Sequence, residues 1–460
     1  VTATSLGLWR GAGGAMCALW REGSRRLVFV VLFIAARCAA FGAARVGMAK
    51  WWVPSGPGML RNSAARLMQE AIDTEPAGHE LSFNREDVMC TPASAEGASD
   101  DESVSINTVT LAAAGDGDGG NAAKANQSCI VVCHGYALGL AAFARGLAAF
   151  VTKNPTRSVS AIDWPGMGGS AELPSSFVRR VRELERAAAR DSTQGDRVVD
   201  AIEDYYTDCL EAWRLKRGGR RMILCGHSLG GYLATAYAHR FPQNVDKLIL
   251  LSPVGIDGSK GRLQPAAPLT ASTADSEPAS PTHDAITATG PDSGPSLPGP
   301  DEQRPPERPP SLIAQVAQGI MRSAWRFDVT PMAMMRSLGP LGPSLLAGIL
   351  GHRTAAVYRQ KAVRDYIYHV NAGRSGGDFI ITRLLHPTFA AKRPLEKCIA
   401  ELPMKVCFAF GSEDWVDATP ARRLQQQHPQ RIQVSVVKDC GHQIALENPT
   451  GFASYLESVV

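Results

Sequence analysis

The residues of this chain best placed for covalent chemistry are a serine between glycines, a loop bearing two aspartates and a histidine just beyond a strand. Gly226-His227-Ser228-Leu229-Gly230 follows directly on the short apolar run Met222 to Cys225. In a G-x-S-x-G turn between strand and helix the serine sits on a strained corner with its hydroxyl clear of the sheet, and small flanking residues let neighbouring backbone come close. Ser228 is therefore the candidate nucleophile. A serine hydroxyl attacks only when a base takes its proton and an acid orients that base. His442 is the candidate base: of the ten histidines it alone lies directly beyond an apolar strand (Ile432 to Val437) and downstream of the acid loop GSEDWVD, which ends the strand Met404 to Phe410. Asp414 and Asp417 both lie on that loop, and the position three after Gly411 favours Asp414. A tetrahedral oxyanion also needs preorganised donors. The candidates are the backbone N–H of Leu229, after the nucleophile, and that of Tyr136, in the His134-Gly135-Tyr136 turn after the apolar run Ser128 to Cys133.

These residues need elements to hold them. From Leu229 the chain turns helical, with Leu233, Ala236 and Tyr237 on one face, until Pro242 stops it and Val245 to Leu251 resumes an apolar strand. Ser158 to Ile162 reads as another buried strand, followed by the glycine-rich turn DWPGMGGS, which lacks the lysine and spacing of a phosphate loop. Ile202, Tyr205, Tyr206, Cys209, Leu210 and Trp213 recur at helical spacing as core. Leu81 to Phe83 and Ser105 to Leu111 read as the first strands. Strands that alternate with helices predict an α/β chain with a mostly parallel central sheet.

Composition narrows the classes. A chain of 460 residues with 45% hydrophobic content can bury a large core, and a net charge of +4 is too small at this length for a nucleic-acid footprint. The ten cysteines show no C-x-x-C pair and no metal-ligand spacing, and several fall inside apolar strands, so reduced thiols and a reducing compartment are expected. Serine-based acyl chemistry calls for no metal and no cofactor.

Residues 1–50 carry Arg10, Arg21, Arg25, Arg26, Arg37 and Arg45 against Glu22 alone, the pattern of a targeting leader or of an upstream extension of the gene model. Their apolar run, Leu27 to Ala36, falls short of the roughly 20 residues that span a bilayer. Trp51 and Trp52 then precede an amphipathic helix through Leu60, Leu67, Met68 and Ile72, suited either to a membrane interface or to packing on the domain. The core is expected over 51–255 and 401–460. Between them, 256–310 is rich in Pro, Ser, Thr and Gly and is expected to be disordered. Residues 311–400 return to helix as an insert whose Met332, Met334 and Met335 suit core packing or the wall of an acyl pocket.

The elbow GHSLGGYLATAYAHRFP, with GPLGPSLL, DYIYHVNA, AAKRPLEKC and GSEDWVD, resembles one subfamily of the α/β-hydrolase fold. That subfamily holds the animal N-acyl-phospholipid lipase, the lipid-droplet coactivator of adipose triglyceride lipase, the plant lysophosphatidate acyltransferase/phospholipase and the yeast cardiolipin-specific deacylase. The resemblance implies an α/β-hydrolase core with an inserted helical cap. It implies Ser228 as nucleophile and His442 as base, places the subfamily's acid at Asp417, and points to Lys392 and Arg393 of the AKRP segment as phosphate contacts. Vertebrate coactivators carry Asn where this chain keeps Ser228, and the subfamily's H-x4-D acyltransferase motif is here His442 followed by Glu447. The expected function is hydrolysis of acyl esters of phospholipids or lysophospholipids through an acyl-serine, at a membrane or lipid-droplet surface, in the cytoplasm or in mitochondria. The alternatives are acyl transfer from acyl-CoA to lysophosphatidate, and a non-catalytic lipid-surface scaffold or lipase coactivator. No oligomeric state is implied.

Overall fold

The computed structural model describes residues 55–76, 81–93, 103–113, 128–191, 194–257, 325, 327–330, 332–333, 336, 357, 360–373 and 376–460. The basic N-terminal segment, the tryptophan pair, residues 258–324, the GPLGPSLL segment, Met334 and Met335 lie outside the described residues.

The strands are β1 (Leu81–Cys90), β2 (Val104–Ala113), β3 (Cys129–Cys133), β4 (Val159–Ile162), β5 (Met222–His227), β6 (Val245–Leu251), β7 (Lys405–Gly411) and β8 (Ile432–Val437). They form one eight-stranded sheet in the order β1-β2-β4-β3-β5-β6-β7-β8. β1 and β2 pair antiparallel, as do β2 and β4, and every pairing from β4 through β3 to β8 is parallel. The parallel strands are apolar on both faces because helices cover both. Val131, Cys133, Leu224, Leu248, Leu250, Phe408 and Phe410 enter one core. Their neighbours Ile130, Val132, Ile223, Cys225, Ile249, Leu251, Cys407 and Ala409 enter the other, as the two-residue period of a strand requires.

The helices that matter for the site are α1 (Pro57–Asp73), α2 (Ala144–Lys153), α3 (Ser175–Arg190), α4 (Asp196–Lys216) and α5 (Leu229–Arg240), then, between β6 and β7, α6 (Lys361–Ala372), α7 (Gly376–Leu384) and α8 (Glu396–Glu401). After β7 come α9 (Thr419–Gln427), α10 (Ile444–Glu447) and α11 (Pro449–Val459). The helical stripe read in α4 is buried as expected, with Ile202, Tyr205, Tyr206, Cys209 and Leu210 all at 0% exposure.

β1 is longer than the expected Leu81 to Phe83. It runs through Asn84, Arg85, Glu86 and Asp87 in unbroken register with β2. Those polar and charged residues give no apolar signal because β1 is the edge of the sheet, where charge blunts unwanted pairing. Arg217, the residue after α4, reaches Glu86 at 2.6 Å.

The crossing of β5 and α5 is tight enough to exclude side chains. A Cβ on Gly230 would lie 2.3 Å from the His134 carbonyl oxygen and 2.7 Å from that of Cys133, and one on Gly226 would lie 2.5 Å from the Gly230 carbonyl oxygen. These obstacles are backbone atoms at the end of β3 and in the first turn of α5 and cannot swing aside. Gly230→Ala is expected to lower stability by roughly 1–3 kcal/mol, the range for overpacking a dense core. Urea unfolding checks this, and an unchanged midpoint would show that the elbow has slack.

Candidate active site

β5 delivers Ser228 one residue past its end. The serine has φ 53° and ψ −117°, a conformation that strains an L-residue by roughly 1–3 kcal/mol. Backbone bonds hold it there: its N–H donates to Leu251 O at 2.9 Å, and its carbonyl accepts from Gly231 N at 3.0 Å and Tyr232 N at 3.2 Å. Leu229 opens α5, so its N–H is among those an α-helix leaves without an intrahelical carbonyl. The Gly135–Tyr136 backbone lies alongside: a Cβ on Gly135 would fall 2.8 Å from Ser228 Cβ. Both candidate oxyanion donors thus belong to segments in contact with the serine.

His442 stands on the loop after β8. Its Nε2 lies 3.0 Å from Ser228 Oγ and its Nδ1 lies 3.1 Å from Asp414 Oδ1. A carboxylate only accepts, so Nδ1 carries the proton and Nε2 is left to accept from the serine hydroxyl. Asp414 is buried, at 5% exposure. It also accepts from Val416 N at 3.0 Å and from the hydroxyl of Ser252, the residue after β6. Burial alone would raise this carboxyl, yet the charge and hydrogen bond of His442, with the bonds from Ser252 and Val416, hold it below the usual carboxylate range.

Two further contacts fix the histidine loop. His227 Nε2 donates to His442 O at 2.9 Å. The two carboxylate oxygens of Glu447 accept from Gly441 N at 2.7 Å and Gln443 N at 3.3 Å, gripping the backbone on either side of His442. The loops after β7 and β8 are themselves pressed together: a Cβ on Gly411 would lie 2.2 Å from Gly441 O.

Of the sequence-selected residues, the structure brings together Ser228, His442, Asp414 and the turns bearing Tyr136 and Leu229. It does not bring in the other three. Asp417 is exposed and its Oδ1 accepts from Thr419 N at 2.9 Å ahead of α9, so the acid read from the resemblance is replaced at His442 by Asp414. Lys392 Nζ donates to Thr382 O at 2.8 Å. Arg393 bridges Glu203 at 2.8 Å and Asp200 at 2.5 Å, both on α4. Both head groups are engaged within the chain: Arg393 ties the segment after α7 to α4, and Lys392 ties it to α7. Sequence reasoning missed Ser252 and the clamping role of His227. The signal for Ser252 was its place one residue past β6, level with the start of the acid loop past β7.

The mostly parallel sheet, the strained serine after β5 and the histidine after β8 define a class: this chain has the α/β-hydrolase fold. Residues 129–273 match the family model described as alpha/beta hydrolase fold. Over 421 residues the chain is 23% identical to a protein of Oryza sativa subsp. japonica named probable 1-acylglycerol-3-phosphate O-acyltransferase, covering 88% of this chain and 81% of that protein. Over 266 residues it is 26% identical to the Homo sapiens (lyso)-N-acylphosphatidylethanolamine lipase, covering 56% of this chain and 64% of the lipase. It is 25% identical over 363 residues to the Saccharomyces cerevisiae 1-acylglycerol-3-phosphate O-acyltransferase ICT1, covering 73% of this chain and 83% of the relative. These relatives bear out the subfamily resemblance.

Asp414→Asn is expected to lower kcat by about four orders of magnitude, because an amide holds the wrong imidazole tautomer, whereas Asp417→Asn stays within a few-fold of the parent. Steady-state kinetics on both decides, and equal mild losses would remove Asp414 from the role of acid. A second expectation concerns pH. Burial, then the charge of His442, lowers the His227 imidazole from its usual 6.5 to about 3. Between those values the unfolded chain binds a proton that the folded chain refuses, so stability falls as pH drops through that window. His227→Gln, which keeps a donor for His442 O, should flatten the dependence in denaturant titrations between pH 6.5 and 4. An unaltered slope would mean that His227 does not carry it.

Proposed function

We propose that the protein is a serine hydrolase that cleaves the acyl esters of phospholipids or lysophospholipids through an acyl-serine. The observation that carries the reading is the contact of Ser228 Oγ with His442 Nε2 at 3.0 Å, with Asp414 on the far nitrogen. In this scheme His442 takes the Ser228 proton as Oγ attacks the acyl carbonyl carbon, and the resulting oxyanion is held by the N–H groups of Tyr136 and Leu229. Collapse breaks the ester bond, and His442 returns the proton to the departing alcohol oxygen. Water, deprotonated by the same imidazole, then attacks the acyl-serine and releases the fatty acid.

Apolar surroundings favour a lipid acyl group. The Trp415 ring lies on the His442 imidazole with centroids 4.6 Å apart, Phe389 follows at 5.5 Å from Trp415, and Trp325 at 6.0 Å from Phe389. Such a row suits an acyl chain leading away from the reacting carbonyl. Glu447 favours water over a second acyl acceptor, since the carboxylate at the subfamily's acyltransferase position is committed to the loop backbone. Ser228, where coactivators carry Asn, favours an enzyme over a scaffold. The substrate places the protein at a membrane or droplet surface as a peripheral binder. Among the described residues no helix is long and apolar enough to cross a membrane.

The test uses purified protein, a fluorophosphonate probe and a panel of phospholipids and lysophospholipids. The parent should label at Ser228 and release free fatty acid, and Ser228→Ala should lose both while keeping its melting temperature. Turnover by Ser228→Ala at the parent rate would remove the elbow from the chemistry. Phosphatidate as the main product from labelled acyl-CoA and lysophosphatidate, dependent on His442, would replace hydrolysis by acyl transfer.

A further inference from the structure

The turn after β3 that bears Tyr136 is held from outside the hydrolase core. Ala137, next in sequence, has φ 63°, a left-handed conformation that an alanine does not keep unaided. Three side chains of the chain between β6 and β7 grip this turn at successive points. The Tyr136 hydroxyl donates to Asp378 of α7 and accepts from Met332 N at 3.3 Å. Asn371 Nδ2, at the end of α6, donates to Ala137 O at 2.8 Å. Tyr366 Oη accepts from Ala141 N at 3.1 Å, and it sits so close that a Cβ on Gly139 would lie 2.3 Å from it.

The anchor of this grip is Asp378. It is buried, and it gathers the Tyr136 hydroxyl, Thr330 Oγ1 at 2.5 Å and the Arg336 guanidinium, while Arg336 also reaches Asn371 O at 3.3 Å. Burial, then the charge of Asp378, pushes the Tyr136 phenol well above its usual range, which favours the protonated, donating form. The DYIYHVNA motif of the subfamily resemblance contributes Tyr366 and Asn371 to this arrangement.

An oxyanion donor works only within about 2.7–3.1 Å of the developing charge, and a misplacement of about 1 Å costs on the order of a hundredfold in rate. We propose that Asp378, Asn371 and the Tyr136 phenol form a latch through which the chain between β6 and β7 sets the position of the Tyr136 backbone N–H. All three are positioning residues, and the inference rests on the hydrolase reading of Ser228. The latch makes the strength of the oxyanion hole depend on the placement of α6 and α7.

The test uses full-length protein and a soluble p-nitrophenyl ester, with rates expressed per site titrated by fluorophosphonate. Tyr136→Phe keeps the ring and the backbone N–H but removes the anchor, and Asp378→Asn weakens it from the other side. Each is expected to lower kcat about tenfold with KM within roughly twofold, because the lost interaction acts in the transition state. Affinity for a trifluoromethyl ketone, whose serine adduct carries the oxyanion, should fall by the same factor. The double variant should be no worse than either single one, as for two ends of one interaction. Parental kcat and ketone affinity in either single variant, or losses that multiply in the double, would overturn the latch. A parent that neither hydrolyses the ester nor labels at Ser228 would overturn the hydrolase reading and the latch with it, a result distinct from an active parent whose variants match it.

Discussion

Close backbone approach at the end of β5 is the constraint on which the site depends. Three segments meet there: the elbow, the first turn of α5 and the turn after β3. Gly226, Gly230 and Gly135 let them come within distances that a single methyl group would forbid. The strain of Ser228 at φ 53° is borne by the bond from Ser228 N to Leu251 O and by the helix that starts on the serine's own carbonyl. Widening the crossing would move the serine hydroxyl and both candidate oxyanion donors together, since all three ride on the same packed backbone.

The histidine is held in a complementary way, by polar contacts between loops. His227 holds its carbonyl, Glu447 the N–H groups on either side, and Asp414 its ring. His227 is itself the elbow residue before the serine, so nucleophile and base are referenced to the same strand end. Asp414 is in turn referenced to β6 through Ser252. Parallel neighbours β5, β6, β7 and β8 therefore each contribute a residue just beyond their carboxyl ends, and their registers set the distances among Ser228, Ser252, Asp414 and His442.

Charge that looked available in the sequence has partners within the chain. Arg393 meets two carboxylates of α4 and so fastens the chain between β6 and β7 to the core, while Lys392 donates to the Thr382 carbonyl of α7 within that chain. Asp378 and Asn371 fasten the same chain to the turn after β3. The chain between β6 and β7 is thus coupled to the core at two places, α4 through Arg393 and the turn after β3 through Asp378 and Asn371. Arg336 links the second pair, since it meets both Asp378 and the Asn371 carbonyl.

Much of the fold was legible from local pattern. Apolar runs of strand length, a proline closing α5 and the glycines around Ser228 are properties of contiguous residues, and backbone preferences act over that range. The same holds for placing His442 beyond the last strand. β1 was legible only in part, because Arg85, Glu86 and Asp87 face solvent at the edge and leave no periodicity. The choice between Asp414 and Asp417 was not local: both sit on one loop, three residues apart, and the outcome turned on which carboxyl the crossing of the β7 and β8 loops buries against His442. Ser252, the Glu447 grip and the Asp378 latch are of the same kind, side chains meeting backbone or partners carried by other elements of the fold. Sequence alone determined which residues could react and which segments would be strands, since those follow from residue type and short-range geometry. Tertiary structure alone decided which charges face the reacting groups, because strand register and loop packing set those distances.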